Sequence, residues 1–374
     1  MKTTMKLISL LFAAALLAAG CGGGGGSSSA PPAVTGLPID QAQDAQGNTV
    51  TANFASTLAV NDANQVIGFV ETTPGAPFTA SLWTVSTTGT QTATPTALKP
   101  IGANTSSAAF DLDANGNAVG QSANGTQLVA VRWVSGVAEP EQLPVLDAGN
   151  SVAFGISDDG TLIVGEAQVG AATRAVLWVA DAQGQFTSAP TVLPVDAFTV
   201  GLVASPFSSA NGVARAGNDI LVAGEVEDGA GVKHAVVWNS VGPAFAANNL
   251  STIGEVGSVA LDVNIDGEIV GEVETAPNVF AAAMWKFEDN LGTVVITPTT
   301  LTANATAAAI NDNGRIVGTA AAKASGWNIA GAQPVLTTLL TTPSQAYDNN
   351  NGDATGYLVV GVNNGKGFVL KATN

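Results

Sequence analysis

Seven copies of one pattern run along the chain, and a repeat of this length and number constrains the fold more than composition does. Each copy is an apolar strand, a turn of the Asn-Gly or Asp-Gly type, and a strand related to Ile-Val-Gly. The copies are Leu58 to Gly68, Phe110 to Gly120, Phe154 to Gly165, Val213 to Gly224, Leu261 to Gly271, Ala309 to Gly318 and Tyr347 to Gly361. Their closing glycines lie about 43 to 59 residues apart. About ten to fifteen residues after the glycine, six copies reach an apolar run closed by tryptophan: Trp83, Trp133, Trp178, Trp238, Trp285 and Trp327. The seventh has Gly367-Phe368-Val369-Leu370 in that place. A ladder of aromatic rings for sugars is one reading of this register. A packing anchor between neighbouring units is the better one, because a large ring at a fixed repeat position is what a repeated core needs.

A fourth short strand follows each tryptophan, marked by leucine and often proline: Leu98-Lys99-Pro100, Leu143-Pro144-Val145, Leu193-Pro194-Val195, Leu250, Leu301 and Leu336. One copy is missing at the end of the chain and present at its front, in Leu37-Pro38-Ile39. The N-terminal segment is therefore expected to supply the outermost strand of the last unit, where proline is tolerated because an edge strand can lack a ladder donor. A four-stranded unit of about 45 residues is the signature of a propeller blade. Hairpin signals at Asp159-Gly160, Asp266-Gly267 and Asn313-Gly314 agree. The expected fold is all-β: a seven-bladed β-propeller of four-stranded antiparallel blades over residues 34–374.

Ahead of it, Lys2 and Lys6 precede an apolar run from Leu7 to Ala19. This reads as a secretory signal, too short to span a bilayer comfortably. Leu17-Ala18-Ala19-Gly20-Cys21 resembles the lipobox of bacterial lipoproteins, with alanine where leucine is commoner at the third place before the cysteine. The resemblance implies cleavage of residues 1–20, a diacylglycerol and an N-acyl chain on Cys21, and, with Gly22 in place of aspartate, sorting to the outer membrane. Cys21 is the single cysteine of the chain, so the fold has no disulfide to draw on. Residues 21–33, rich in Gly, Ser and Pro, read as a flexible tether. Loss of Lys2 and Lys6 would leave 10 basic against 29 acidic side chains, a net charge of −19. Such a chain repels phosphate backbones, which argues against nucleic acid as a partner. The membrane, through the lipid, and a protein or glycan at the propeller rim are the expected partners of a monomer.

His234-Ala235-Val236-Val237-Trp238 and Ile310-Asn311-Asp312-Asn313-Gly314-Arg315-Ile316-Val317-Gly318 resemble the HAF family of extracellular repeats. There a His-Ala-Phe-type strand ends in tryptophan and an Ile-Asn-x-x-Gly-x-Ile-Val-Gly hairpin precedes it. The likeness covers nearly all of the chain after the tether and lies in the repetition. Only one copy keeps the histidine; others read Arg174-Ala175, Thr79-Ala80 and Ala282-Ala283. The family implies an exported repeat domain and carries over no catalytic residue.

Chemistry-bearing constellations are few. His234 is the lone histidine, at a repeat position held elsewhere by arginine, threonine or alanine, so it reads as structural. Histidine triads, cysteine nucleophiles and zinc sites of ordinary ligand count are thereby excluded. Asp111, Asp113, Asn115 and Gly116 match the opening of a calcium loop, with Asp348, Asn350 and Asp353 a weaker case. The first match lacks the acidic ligand that should close the loop and sits where other copies have a plain turn. No cofactor is expected. Glu166, Glu225 and Glu272 each follow a repeat glycine and are candidates for a glycosidase carboxylate pair, but their periodicity favours solvated strand ends. The main irregularity is the connection Asp196 to Ser209, which carries Phe198, Val200, Leu202, Val203 and Phe207. Phe198, Leu202 and Phe207 are the candidate partner contacts, because loops on a scaffold carry function more often than the scaffold itself. The leading expectation is a non-enzymatic binding module at the cell envelope. The alternatives are a carbohydrate-active hydrolase or lyase working in the channel, and a purely structural envelope component.

Overall fold

The computed structural model describes residues 37–372, apart from 45–46, 87–91, 124, 196–206, 217–218, 242–243, 251–255, 290–293, 330–334 and 353–355. Among these residues there is no helix, and seven four-stranded antiparallel sheets follow one another as the blades of a propeller. Blades 1 to 6 begin at Phe54, Ser106, Ser151, Ser208, Gly257 and Ala305. Blade 7 takes three strands from Ser344 to Ala372, and its fourth is Leu37–Ile39. Leu37 pairs with Val369, Pro38 with Phe368 and Ile39 with Gly367, so the two ends of the chain close the ring as the repeat count requires. A small hairpin, Gln41–Gln43 with Thr49–Thr51, then carries the chain across to blade 1.

The repeat glycine has a local cause. In every blade the first strand bulges opposite it, between Thr57 and Ala59, Ala109 and Asp111, Ala153 and Gly155, Ala210 and Gly212, Ala260 and Asp262, Ala307 and Ala309, and Ala346 and Asp348. The bulged backbone turns a carbonyl onto the glycine, and a Cβ there would overlap it: Ser56 O at Gly68, Ala108 O at Gly120 and Val152 O at Gly165, for example. The glycine is needed because nothing larger fits beneath the bulge.

The core lies mostly between blades. One cluster joins Ala59, Ile67, Ala80 and Leu98 of blade 1 to Leu112, Ala118, Val131 and Trp133 of blade 2. Five tryptophan indoles donate to the end of the preceding outer strand or just past it: Trp83 to Gln41 O (2.7 Å), Trp133 to Lys99 O (2.9 Å), Trp178 to Pro144 O (2.8 Å), Trp238 to Pro194 O (2.7 Å) and Trp327 to Thr302 Oγ1 (2.9 Å). The six tryptophans are packing anchors, none more than 2% exposed. A second inter-blade tie uses a first-strand serine. Ser107, Ser151, Ser208, Ser258 and Ser344 each accept an N–H from the third strand of the blade before, on Ala80, Ala130, Ala175, Ala235 and Ala324. Blade 1 has Ala55 at this position, and Thr57 takes over: its hydroxyl accepts from Gly361 N (3.0 Å) and lies 2.7 Å from Gly361 O in blade 7. The leucine of the blade-six outer strand differs from expectation. Leu336 is 42% exposed, and Leu340, two residues past the strand, fills the buried place.

Candidate functional site

The seven first strands surround a cavity of about 370 Å³. Each bulge places one residue beside it: Leu58, Phe110, Phe154, Asn211, Leu261, Ala308 and Tyr347 in ring order. Blades 7, 1, 2 and 3 thus make an apolar and aromatic wall, with Phe110 and Phe154 at 5.8 Å between ring centroids. The next residue of each strand forms a second ring: Ala59, Asp111, Gly155, Gly212, Asp262, Ala309 and Asp348. Its three carboxyls do the same work. Asp111 accepts from Ile156 N (2.8 Å), Asp262 from Ile310 N (2.9 Å) and Asp348 from Val60 N (2.8 Å), in each case the backbone of the following blade. Asp111 and Asp262 also accept from the residues after them, Leu112 N and Val263 N.

Past this ring the hairpin turns between first and second strands meet. Asn264 donates to Asn311 O (3.1 Å), Asn311 to Asn350 O (2.8 Å), Asn350 to Asn61 O (3.2 Å) and Asn61 to Asp113 O (3.0 Å), a run across five blades. Asn61, Asn264 and Asn311 also brace their own turns by accepting N–H groups two and four residues on, and Asn350 accepts from Leu358 N. Asp62, Asp158 and Asp312 stand at this mouth of the cavity. Arg215 is the one basic residue among the described lining residues, and it is tied to Asp159 at 3.0 Å.

Burial raises the proton affinity of the channel acids, and their mutual repulsion adds to it. Asp262 is pushed up to about 7 by burial, with Asp158 and Asp312 contributing. Asp158 is pushed up to about 6 by burial and by Asp312 and Asp62. Asp111 and Asp348 are raised well above the usual carboxylate range, first by burial and then by Asp262 for the one and Asp111 for the other.

The residues singled out from the sequence fall into place differently. Cys21, Phe198 and Leu202 lie outside the described residues, as do Val200, Val203 and Asp353. Phe207 is described: its carbonyl accepts from Glu227 N, and the Lys233 ammonium lies 5.9 Å from its ring centroid. It therefore shares a face with the hairpin between the second and third strands of blade 4, opposite the turns just described. His234 sits on that hairpin, 3.0 Å from Asp228, and this hydrogen bond is the main cause of the lowered proton affinity of the Asp228 carboxyl. The calcium-loop match is accounted for by turn chemistry. Asp113 is fully buried, one oxygen accepts from Asn115 N and Asn117 N, the other from Asn117 Nδ2, and Asp111 belongs to the channel ring. No group of three metal-ligating side chains occurs among the described residues.

The glutamates need a correction. Glu166 and Glu225 are 3% and 0% exposed, so they are buried between blades and not solvated at strand ends. The residue after the repeat glycine lies at the interface with the next blade: Glu272 accepts from Thr306 Oγ1 of blade 6 (2.7 Å), while Glu225 pairs with Lys233 of its own blade (3.3 Å). None of the three lines the central cavity. The channel acids Asp262 and Asp158, the latter on a turn, were not singled out by sequence reasoning. A usable signal was an aspartate directly after a large first-strand residue, as in Phe110-Asp111, Leu261-Asp262 and Tyr347-Asp348.

No family model and no curated protein matches the chain. Solved structures do. YCF48 from Cyanidioschyzon merolae is 10% identical over 90% of this chain and 98% of its own, with a TM-score of 0.49. The gluconolactonase XC5397 from Xanthomonas campestris is 12% identical over 91% and 98%, at 0.41. TolB from Acinetobacter baumannii is 11% identical, at 0.40, over 86% of this chain; the chain spans 65% of TolB, less than two thirds of its length. Likeness at this level speaks to architecture alone.

Proposed function

We propose that this protein is a lipid-anchored envelope protein whose propeller is a non-enzymatic binding module for a protein or glycan. The observation that carries the reading is the use of the channel-ring carboxyls. Asp111, Asp262 and Asp348 each give an oxygen to the backbone of the next blade, so the groups best placed for acid–base chemistry hold the scaffold together. That leaves the opposite face, with Phe207, Lys233 and the exposed Val279 and Phe280, as the place for contact. Its connections and hairpins vary in length from blade to blade, as recognition surfaces on repeat scaffolds do. The lipobox-like residues up to Cys21 supply the anchor and the outer-membrane address in this reading, and two or more acyl chains would make attachment stable.

The test is fractionation of cells producing the full chain or Cys21→Ser, with mass spectrometry of the mature N-terminus, followed by photo-crosslinking from position 280. Acylated Cys21 in the outer-membrane fraction, loss of membrane association in Cys21→Ser and a discrete crosslinked partner are expected. An unmodified N-terminus removes the anchor. Turnover of a glycan from a hydrolase substrate panel, abolished in Asp262→Asn, would instead establish the enzymatic alternative.

A further inference from the structure

We propose that the channel ring is a proton-dependent clasp: Asp111, Asp262 and Asp348 bridge adjoining blades around one buried cavity, each bond is kept in either protonation state, and ionising the three together sets buried like charges against one another and loosens the ring. The geometry comes first. The three carboxyls bridge the interfaces between blades 2 and 3, 5 and 6, and 7 and 1, each to the same backbone position. Their neighbours in the ring are small: Asp111 lies between Ala59 and Gly155, Asp262 between Gly212 and Ala309, and Asp348 between Ala309 and Ala59. Gly212 is required for this, since a Cβ there would stand 2.8 Å from Asp262 Oδ1. A ring of seven holds at most three acids with no two adjacent. This ring holds three, so each site has the clasp bond and the greatest spacing from its fellows.

The charged surroundings make the clasp sensitive to protons. Asp111 faces Asp262 and Asp158; Asp262 faces Asp158 and Asp312; Asp348 faces Asp111 and Asp262. Asp62 and Tyr347 line the same space, and Arg215, the one cation among the described lining residues, is held by Asp159. Among the described lining residues no cation other than this paired Arg215 stands against three ionised carboxylates around about 370 Å³. The folded carboxyls hold protons more tightly than the unfolded chain, in which an aspartate titrates near 3.8, and Asp262 reaches about 7. The folded state thus binds more protons through this interval, and stability falls as pH rises from about 4 to about 7. The acids with lowered proton affinity, Asp40, Asp159, Asp181 and Asp228, act below that interval and with the opposite sign.

The experiment is thermal unfolding of the full chain at about pH 5.5 and about pH 8.5, in about 0.5 M NaCl to screen surface charge. The midpoint of the wild-type protein is expected to drop by about 5 °C or more at the higher pH. In Asp111→Asn/Asp262→Asn/Asp348→Asn most of that drop disappears, leaving the part owed to Asp158 and Glu272. The readout is the difference between the two pH values, so a uniform loss of stability in the variant does not mask it. If the triple variant does not fold, Asp262→Asn alone is expected to reduce the drop, and carbon-13 titration of the wild-type aspartate carboxyls reads the same protons directly. A wild-type midpoint that is flat or rises with pH, a variant with the full drop, or three carboxyls titrating near 4 would overturn the clasp.

Discussion

At the scale of single residues the molecule is governed by close backbone approach. Gly165 lies against the Val152 carbonyl with no room for a methyl group. Gly165→Ala is expected to destabilise the protein by about 3 kcal/mol, the upper range for overpacking a filled core, measured as a shift in urea midpoint at unchanged slope. The inter-blade serines act through one hydrogen bond. Ser151→Ala would leave the Ala130 N–H without its acceptor in a buried place, a loss of about 1–3 kcal/mol. Alanine occupies the equivalent place in blades 1 and 6, as Ala55 and Ala305, so the loss belongs to the bond and not to the packing. The channel ring adds a charge rule. Ala309→Asp would set a fourth carboxyl directly between Asp262 and Asp348, and its penalty should be larger at about pH 8 than at about pH 5, whereas an exposed acid, ionised at both, would show no such difference.

At the scale of elements the seam between blades 7 and 1 stands apart from the other six interfaces. It combines the short strand Leu37–Ile39, the Trp83 bond to Gln41 O, the Lys366–Asp40 ion pair at 3.0 Å and the Thr57 hydroxyl bonded to blade 7. The ion pair is exposed and contributes little, whereas Thr57 is fully buried. Thr57→Val keeps the shape and strands the Gly361 N–H, so it should cost about 2 kcal/mol and raise hydrogen exchange first in the strands of blade 7. The strand content, blade number and closure were readable because glycine, tryptophan and leucine recur at a fixed phase. The channel acids were not, because the bulge reverses the alternation of the first strand. Ala109 and Asp111 are two residues apart, yet they pair with Gly120 and Val119 and so fall on opposite faces. Asp111 and Asp113 match the opening of a calcium loop for the same reason, since sequence spacing alone hides that one serves the ring and the other the turn. Glu166 and Glu225 read as solvated strand ends because they recur at one repeat position, directly after the glycine. In fact the glycine lies mid-strand, opposite the bulge, and the residue after it lies at the interface with the next blade.

At the scale of the whole molecule, the propeller residues carry 10 basic against 29 acidic side chains, a formal charge of −19, on a ring that has no disulfide and is held by repeated inter-blade contacts. Two populations of acid contribute to its self-repulsion. Surface carboxylates such as Asp181, whose Oδ1 accepts from Gln183 N and Gln185 N, are open to counterions, and salt screens them over about 10 Å at 0.1 M. The channel acids face each other across a closed ring of strands and are screened far less. Raising salt from about 0.01 M to about 0.5 M at about pH 8 should therefore increase the unfolding midpoint by relieving the surface, while leaving a pH-dependent remainder that salt does not remove. At about pH 5.5 the salt response should persist and the remainder should shrink, because surface acids stay ionised there while the ring regains its protons. A remainder that vanishes with salt at both pH values would place all of the repulsion on the outside of the propeller and leave the channel ring neutral throughout.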